Sequence, residues 1–145
     1  MALEAAFLAC ARYGWAIESA LMLLVGLRHG PQGRRVVLRC LGTVASLYGL
    51  AEAVGRSAAR KRPFSALPGV HAVLRHSPER SFPSRHVASA VAMGVIAGPA
   101  APTIASAMLA VAAGLALGRI RAGLHYPSDI VGGAVLGLIM GRVMR

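Results

Sequence analysis

Residues 118–129, Gly-Arg-Ile-Arg-Ala-Gly-Leu-His-Tyr-Pro-Ser-Asp, hold the residue types from which a reaction can be built. His125 stands four positions before Asp129, the only aspartate in the chain. A histidine positioned by a carboxylate is the smallest unit of nucleophilic or acid–base catalysis. Arg119 and Arg121 lie just upstream, and the planar fork of a guanidinium suits a phosphate. Taken alone, the same residues also describe a short basic loop with a helix-capping aspartate.

Two more polar clusters look deliberate. One is Arg60-Lys61-Arg62-Pro63-Phe64, the other Ser81-Phe82-Pro83-Ser84-Arg85-His86. Ser84 is a good N-cap, which puts Arg85 and His86 in a first helical turn. Free backbone N–H groups and the positive end of the helix dipole meet there, and both favour an anion.

The elements that must position these residues are apolar runs. Five stand out, at roughly residues 5–27, 36–54, 87–98, 103–117 and 130–144. The first is long enough to cross a bilayer. The last three are short, since about fifteen helical residues cover only ~22 Å; extension into the flanking motif residues closes part of the gap. Residues 29–35 read as a turn, with Gly and Pro breaking the helix and basic residues marking a boundary. Arg12, Glu18, Arg39 and Glu52 interrupt the first two runs, so they belong inside a bundle or at its ends. Residues 55–83 read as a partly ordered loop over the membrane face, with His71 and His76 as loop residues. Gly94 and Gly98, Gly114 and Gly118, and Gly133, Gly137 and Gly141 recur every fourth residue. Such stripes let helix backbones approach closely.

Parity ties the clusters together. The 60–64 cluster follows the second run, the 81–86 cluster precedes the third, and the 118–129 island lies between the fourth and fifth. With all five runs spanning, the three clusters share one side of the membrane, as a single active site requires.

Composition agrees. The chain has 145 residues, 56% of them hydrophobic and 14% charged, with a net charge of +11, and its mean hydropathy is +0.60. A nucleic-acid reader needs a solvated basic face. Here the arginines sit at the ends of apolar runs, which excludes nucleic acid as a partner and favours membrane and anionic lipid. Cys10 and Cys40 form no C-x-x-C pair and read as small core residues. Glu4, Arg12 and Glu18 do not suit a cleaved signal peptide. The length fits one domain over residues 1–145.

Arg62-Pro63, then Pro83-Ser84-Arg85-His86, then Gly118-Arg119 with His125 and Asp129 resemble the three-part signature of the type 2 phosphatidic acid phosphatase (PAP2) superfamily. That signature is K-x6-R-P, P-S-G-H and S-R-x5-H-x3-D. The third spacing matches in full, and the resemblance runs from about residue 55 to 145. Three positions depart from it: Gly55 stands at the lysine, Arg85 at the glycine and Gly118 at the serine. The stretches 62–64 and 81–84 are further similar to bacterial undecaprenyl-diphosphatases of the bacitracin-resistance type.

The resemblance implies an all-α integral membrane bundle of about five transmembrane helices. It also implies roles: His125 as the nucleophile that forms a phosphohistidine, Asp129 orienting it, and His86 protonating the leaving oxygen. Arg62, Arg119 and Ser84 would hold the phosphoryl oxygens. Arg85 adds a further phosphate contact, and the one lost at Gly55 is either missing or supplied by Arg56 or Lys61. An arginine cage replaces a metal, so no metal and no cofactor are expected; the carboxylates are too few and scattered for a two-metal site. The expected substrate is a lipid phosphate or diphosphate, foremost a polyprenyl diphosphate such as undecaprenyl diphosphate. Alternatives are a phosphatidate-type or phosphatidylglycerophosphate-type phosphatase and a non-catalytic lipid-phosphate binder. The expected location is the plasma membrane, with the site facing away from the cytoplasm. Arg28, Arg34, Arg35, Arg142 and Arg145 serve as the cytoplasmic charges.

Overall fold

A computed structural model describes residues 2–145, with side chains from Glu4 onward. The chain forms α1 (Ala2–Arg28), α2 (Gly30–Ala58), the single turn α3 (Pro63–Ala66), α4 (Arg85–Ala97), α5 (Pro102–Arg121) and α6 (Pro127–Val143). No strand occurs among the described residues. The five apolar runs are thus five helices, each longer than its run or shifted into the neighbouring polar residues.

The first reversal is tighter than the expected turn over residues 29–35. Gly30 takes a φ of +52°, so the chain reverses at His29 and Gly30. Pro31 then sits in the first turn of α2, where its missing N–H costs nothing. Gly33 lies inside α2, where a Cβ would come within 2.3 Å of the Val25 carbonyl oxygen. At the other end, α5 continues through Arg119 and Arg121, so both arginines stand on its last turn rather than in a loop.

Glycines set two of the closest helix seams. Between α4 and α6, a Cβ on Gly133 would lie 2.6 Å from the Ser84 carbonyl oxygen, and one on Gly137 2.3 Å from that of Ala88. Between α1 and α5, a Cβ on Gly118 would lie 2.1 Å from the Phe7 carbonyl oxygen. These are backbone-to-backbone approaches that no other residue allows. Gly98 departs from the stripe reading, because a Cβ there meets only carbonyls of its own helix.

The largest apolar cluster includes Val25, Val36, Cys40, Met93, Ile96 and Met108. The α1–α2 and α4–α5 connections lie together, with Arg28, His29, Ala101 and Pro102 lining one surface pocket. Antiparallel succession therefore gathers the C-terminal ends of α2 and α5 with the N-terminal ends of α1, α4 and α6 at the other end. Outward-facing Leu23, Leu38, Leu117, Val131 and Ile139 are exposed, an apolar girdle suited to lipid. Helices α1, α2 and α5 are long and apolar enough to cross a bilayer. Helices α4 and α6 have 13 and 17 residues, or ~20 and ~26 Å. Of the interrupting charges, Glu18 is interior at 1% exposure. Arg12 lies over the Tyr13 ring, Arg39 donates to the Arg145 carbonyl at 2.7 Å, and Glu52 sits near the site end of α2.

Candidate active site

His125 lies in the short link between α5 and α6 and is 3% exposed. Its Nδ1 is 2.8 Å from the Ser81 carbonyl oxygen. A carbonyl only accepts, so Nδ1 carries the proton and Nε2 carries the lone pair. Arg62 Nη1 donates to that Nε2 at 3.1 Å and to the Leu124 carbonyl at 2.9 Å. Burial, with Arg62 and Arg119 alongside, pushes His125 below its ordinary value of 6.5, against the pull of Asp129. The imidazole is therefore neutral at pH 7, with its one lone pair, on Nε2, engaged by Arg62.

Asp129 is fully buried in the first turn of α6. One carboxylate oxygen accepts from the Tyr126 N–H at 2.8 Å. The other accepts from Arg60 Nη1 at 3.0 Å. The first oxygen is 3.6 Å from His125 Nδ1, beyond hydrogen-bond range. Asp129 thus acts on the imidazole through its charge, and the Ser81 carbonyl fixes the tautomer. Pro127 at the first position of α6 keeps Tyr126 extended, which leaves His125 in the link and Asp129 in the helix, as expected.

Three side chains around this pair keep unspent polar groups. Arg62 and Arg119 are 3% and 4% exposed. Arg62 Nε, Arg119 Nε and Nη1, and Ser84 Oγ are buried without any hydrogen-bond partner. Ser84 stands at the N-cap of α4 but makes no cap bond, so its hydroxyl is uncommitted; its N–H donates to the Asp129 carbonyl at 3.0 Å. A buried unsatisfied donor costs about 1–3 kcal/mol. Unspent groups on three motif residues are what a cradle for an anion would use. The burial of Arg62, beside Arg119 and Arg85, lowers its value to about 10, so it stays charged at pH 7.

Of the other expected phosphate ligands, Arg85 lines a pocket with Arg62 and His76, whereas Lys61 lies on the surface. Arg85 is 3.7 Å from Glu52 and lies over the Tyr48 ring. Lys61 is exposed and lines a surface groove with Arg56 and Arg80. Arg62 is extended, and side chains alternate sides along extended backbone. Arg60 and Arg62 therefore face inward and Lys61 outward. Arg56 pairs with Glu52 at 3.2 Å, and Arg80 pairs with the same carboxylate. Arg80 also fills the space beside Gly55, its Cβ and Cγ lying 3.6 and 3.8 Å from where a Gly55 Cβ would be. Gly118 is explained by packing, since a serine there would strike α1 at Phe7.

Sequence reasoning passed over three contributors. Arg60 holds Asp129 and Ser128 and stacks on Tyr126, its guanidinium 4.0 Å from the ring. The Ser81 carbonyl carries no side-chain signal at all. His76, read as a loop residue, folds back edge-on to His86 with ring centroids 6.4 Å apart. Burial and the surrounding Arg62 and Arg119 lower His76 to about 4.

His86 is shared by two cavities. A slot of about 200 Å³ runs between α1, α2 and α4, lined by Trp15, Glu18, Met22, Leu41, Val44, Ser89 and Met93 among others. A wider groove of about 500 Å³ opens outward, lined by Arg12, Trp15, Leu74, Arg75, His76, Arg119 and Leu124 among others. Trp15 and His86 line both.

Comparison with known proteins agrees with this geometry. The decaprenylphosphoryl-5-phosphoribose phosphatase of Mycobacterium tuberculosis is 30% identical over 131 residues, 90% of this chain and 70% of its own length. The bacitracin transport permease protein BcrC of Bacillus licheniformis is 30% identical over 90 residues, 62% of this chain and 44% of its own. This chain therefore spans less than half of BcrC. Among solved structures, Aquifex aeolicus LpxE superposes with a TM-score of 0.79 at 22% identity, over 98% of this chain and 84% of that one. The PAP2-type phosphatidylglycerolphosphate phosphatase of Bacillus subtilis gives 0.53 at 19% identity, over 99% and 82%; both likenesses are of fold. The family model described as PAP2 superfamily matches residues 36–145. With the motif histidines, Asp129 and two buried arginines gathered at one end of a membrane bundle, the chain belongs to the PAP2 superfamily.

Proposed function

We propose that this PAP2 phosphoric ester hydrolase removes the terminal phosphate of a polyprenyl diphosphate, leaving the monophosphate, through a phosphohistidine on His125. The observation that carries the reading is the set of unspent buried groups on Arg62, Arg119 and Ser84 beside a neutral His125. They bind the phosphoryl oxygens. Nε2 attacks phosphorus, the bond from phosphorus to the bridging oxygen breaks, and His86, in its imidazolium form beside the bound anion, gives that oxygen a proton. Water then attacks the phosphohistidine with His86 as base, releasing inorganic phosphate and restoring His125. Phosphoryl transfer depends mostly on positioning and charge stabilisation, and the guanidinium groups supply the charge. Asp129, held by Arg60, stabilises the imidazole as it becomes cationic.

The polyprenyl preference is supported by the name of the mycobacterial relative and by the apolar slot that meets His86. A second reading, a phosphate monoester on a polyprenyl-phosphoryl sugar, is favoured by the longer match to the mycobacterial phosphatase. Purified protein in micelles should be offered polyprenyl diphosphate, decaprenylphosphoryl-5-phosphoribose, phosphatidate and phosphatidylglycerophosphate. The proposal expects the first to be fastest, an acid-labile and base-stable phosphoenzyme, and loss of both turnover and phosphoenzyme in His125→Ala. Near-normal turnover by His125→Ala sinks the mechanism, and no phosphate release from any lipid leaves a binding protein.

The reading places the protein in the plasma membrane as one domain, with the site facing away from the cytoplasm. It is supported by Arg28, Arg34 and Arg35 at the opposite end, with Arg142 and Arg145 at the tail. With Cys10 and Cys40 replaced, a cysteine at Ala72 should react with an impermeant thiol reagent on intact cells, and one at Gln32 should not. The reverse pattern inverts the topology.

A further inference from the structure

In-line displacement sends the leaving group away from the attacking atom. Here it departs from His125 toward His86, which protonates it. The leaving group of a phosphomonoester on an alcohol is neutral once protonated. That of a diphosphate is itself a phosphate, and it carries negative charge out of the reaction. A site built for diphosphates therefore needs cations on the His86 side, beyond those that hold the reacting phosphate.

The open groove at His86 supplies them. Arg12 on α1 and Arg75 on the 67–83 loop line it beside Arg119 and His76, and none of its lining residues is acidic. Among the described residues neither Arg12 nor Arg75 pairs with a carboxylate, whereas Arg56, Arg80 and Arg85 all do, on Glu52. Arg12 interrupts the apolar run of α1, as Glu18 does, and nothing in the motif chemistry uses it. The same groove meets the apolar slot at Trp15. A ligand can thus place one phosphate in the Arg62–Arg119 cradle, a second in the groove and a tail in the slot.

We propose that Arg12 and Arg75 form a subsite for the second phosphate of a diphosphate, the phosphate that leaves with the lipid. The inference rests on the diphosphate reading of the same site.

Inorganic phosphate and inorganic pyrophosphate are the probes, titrated by calorimetry into purified protein in micelles. The wild type should bind pyrophosphate at least tenfold more tightly than phosphate, as charge-assisted hydrogen bonds to a second phosphate predict. Arg12→Gln/Arg75→Gln should erase that preference, and Arg12→Lys/Arg75→Lys should keep most of it, with thermal unfolding confirming that both fold. With lipids, the ratio of kcat/KM for a diphosphate to that for a monophosphate should fall about tenfold in the glutamine variant. No pyrophosphate preference in the wild type, or one that survives in the glutamine variant, overturns the subsite. A preference that the glutamine variant loses, in an enzyme that ignores polyprenyl diphosphate, upholds the subsite and overturns the polyprenyl reading.

Discussion

Two groups of arginines stand close together at the site end of this bundle and behave differently. Arg56, Arg80 and Arg85 lean on one carboxylate, Glu52, with side chains 73%, 43% and 36% exposed. Arg62 and Arg119 are almost wholly buried, and each retains donors with no partner. The first group has its charge answered within the protein and by water. The second has paid desolvation without full return, and only a ligand can supply it. Burial with unspent donors, rather than positive charge as such, distinguishes the candidate phosphate cradle from the basic surface around it.

The contrast is most exposed to substitution. Arg62→Ala and Arg119→Ala should each lower kcat by about 10²–10³, the scale of losing one preorganised charge-stabilising donor. If Arg56→Ala costs as much, the distinction fails. Ser84→Ala should come next at about tenfold, as expected for one hydrogen bond to a charged group. A pH profile sharpens the same point. His125 must be neutral to attack, and its value in the folded protein lies below 6.5. The acid limb of kcat/KM should therefore fall below pH 6.5. In Arg119→Gln it should move upward, because a cation that disfavours the imidazolium is gone; in Arg56→Gln it should stay in place. The smallest effect should be on turnover by Arg56→Ala, within about fivefold, because an exposed ion pair contributes at most about 1 kcal/mol.

Much of this arrangement was readable from residue order. Polar clusters separated by even numbers of spans fall at one end of the bundle if the runs are helices, and they do. His125 and Asp129 were readable because linear spacing places them on either side of a helix start. What escaped lies in backbone without periodicity. The Ser81 carbonyl has no side-chain identity to notice. Arg60 and Lys61 differ only in which way an extended chain points them. His76 reaches His86 through a loop whose path no repeat predicts. Gly118 is a different case: against the motif it reads as a lost contact, but the reason is the Phe7 carbonyl of α1, which lies outside the motif.

The hydrogen bond from Arg62 to His125 Nε2 bears on selectivity in time as well as in shape. In this structure the lone pair that would attack is engaged by a guanidinium, so the proposed nucleophile is masked. On the proposed mechanism a phosphoryl oxygen would compete for that same donor and, in taking it, free the nitrogen beside its own phosphorus. The reagent is unmasked by the molecule it is meant for. Small electrophiles that arrive without an anionic group to draw Arg62 away meet an imidazole with neither nitrogen free.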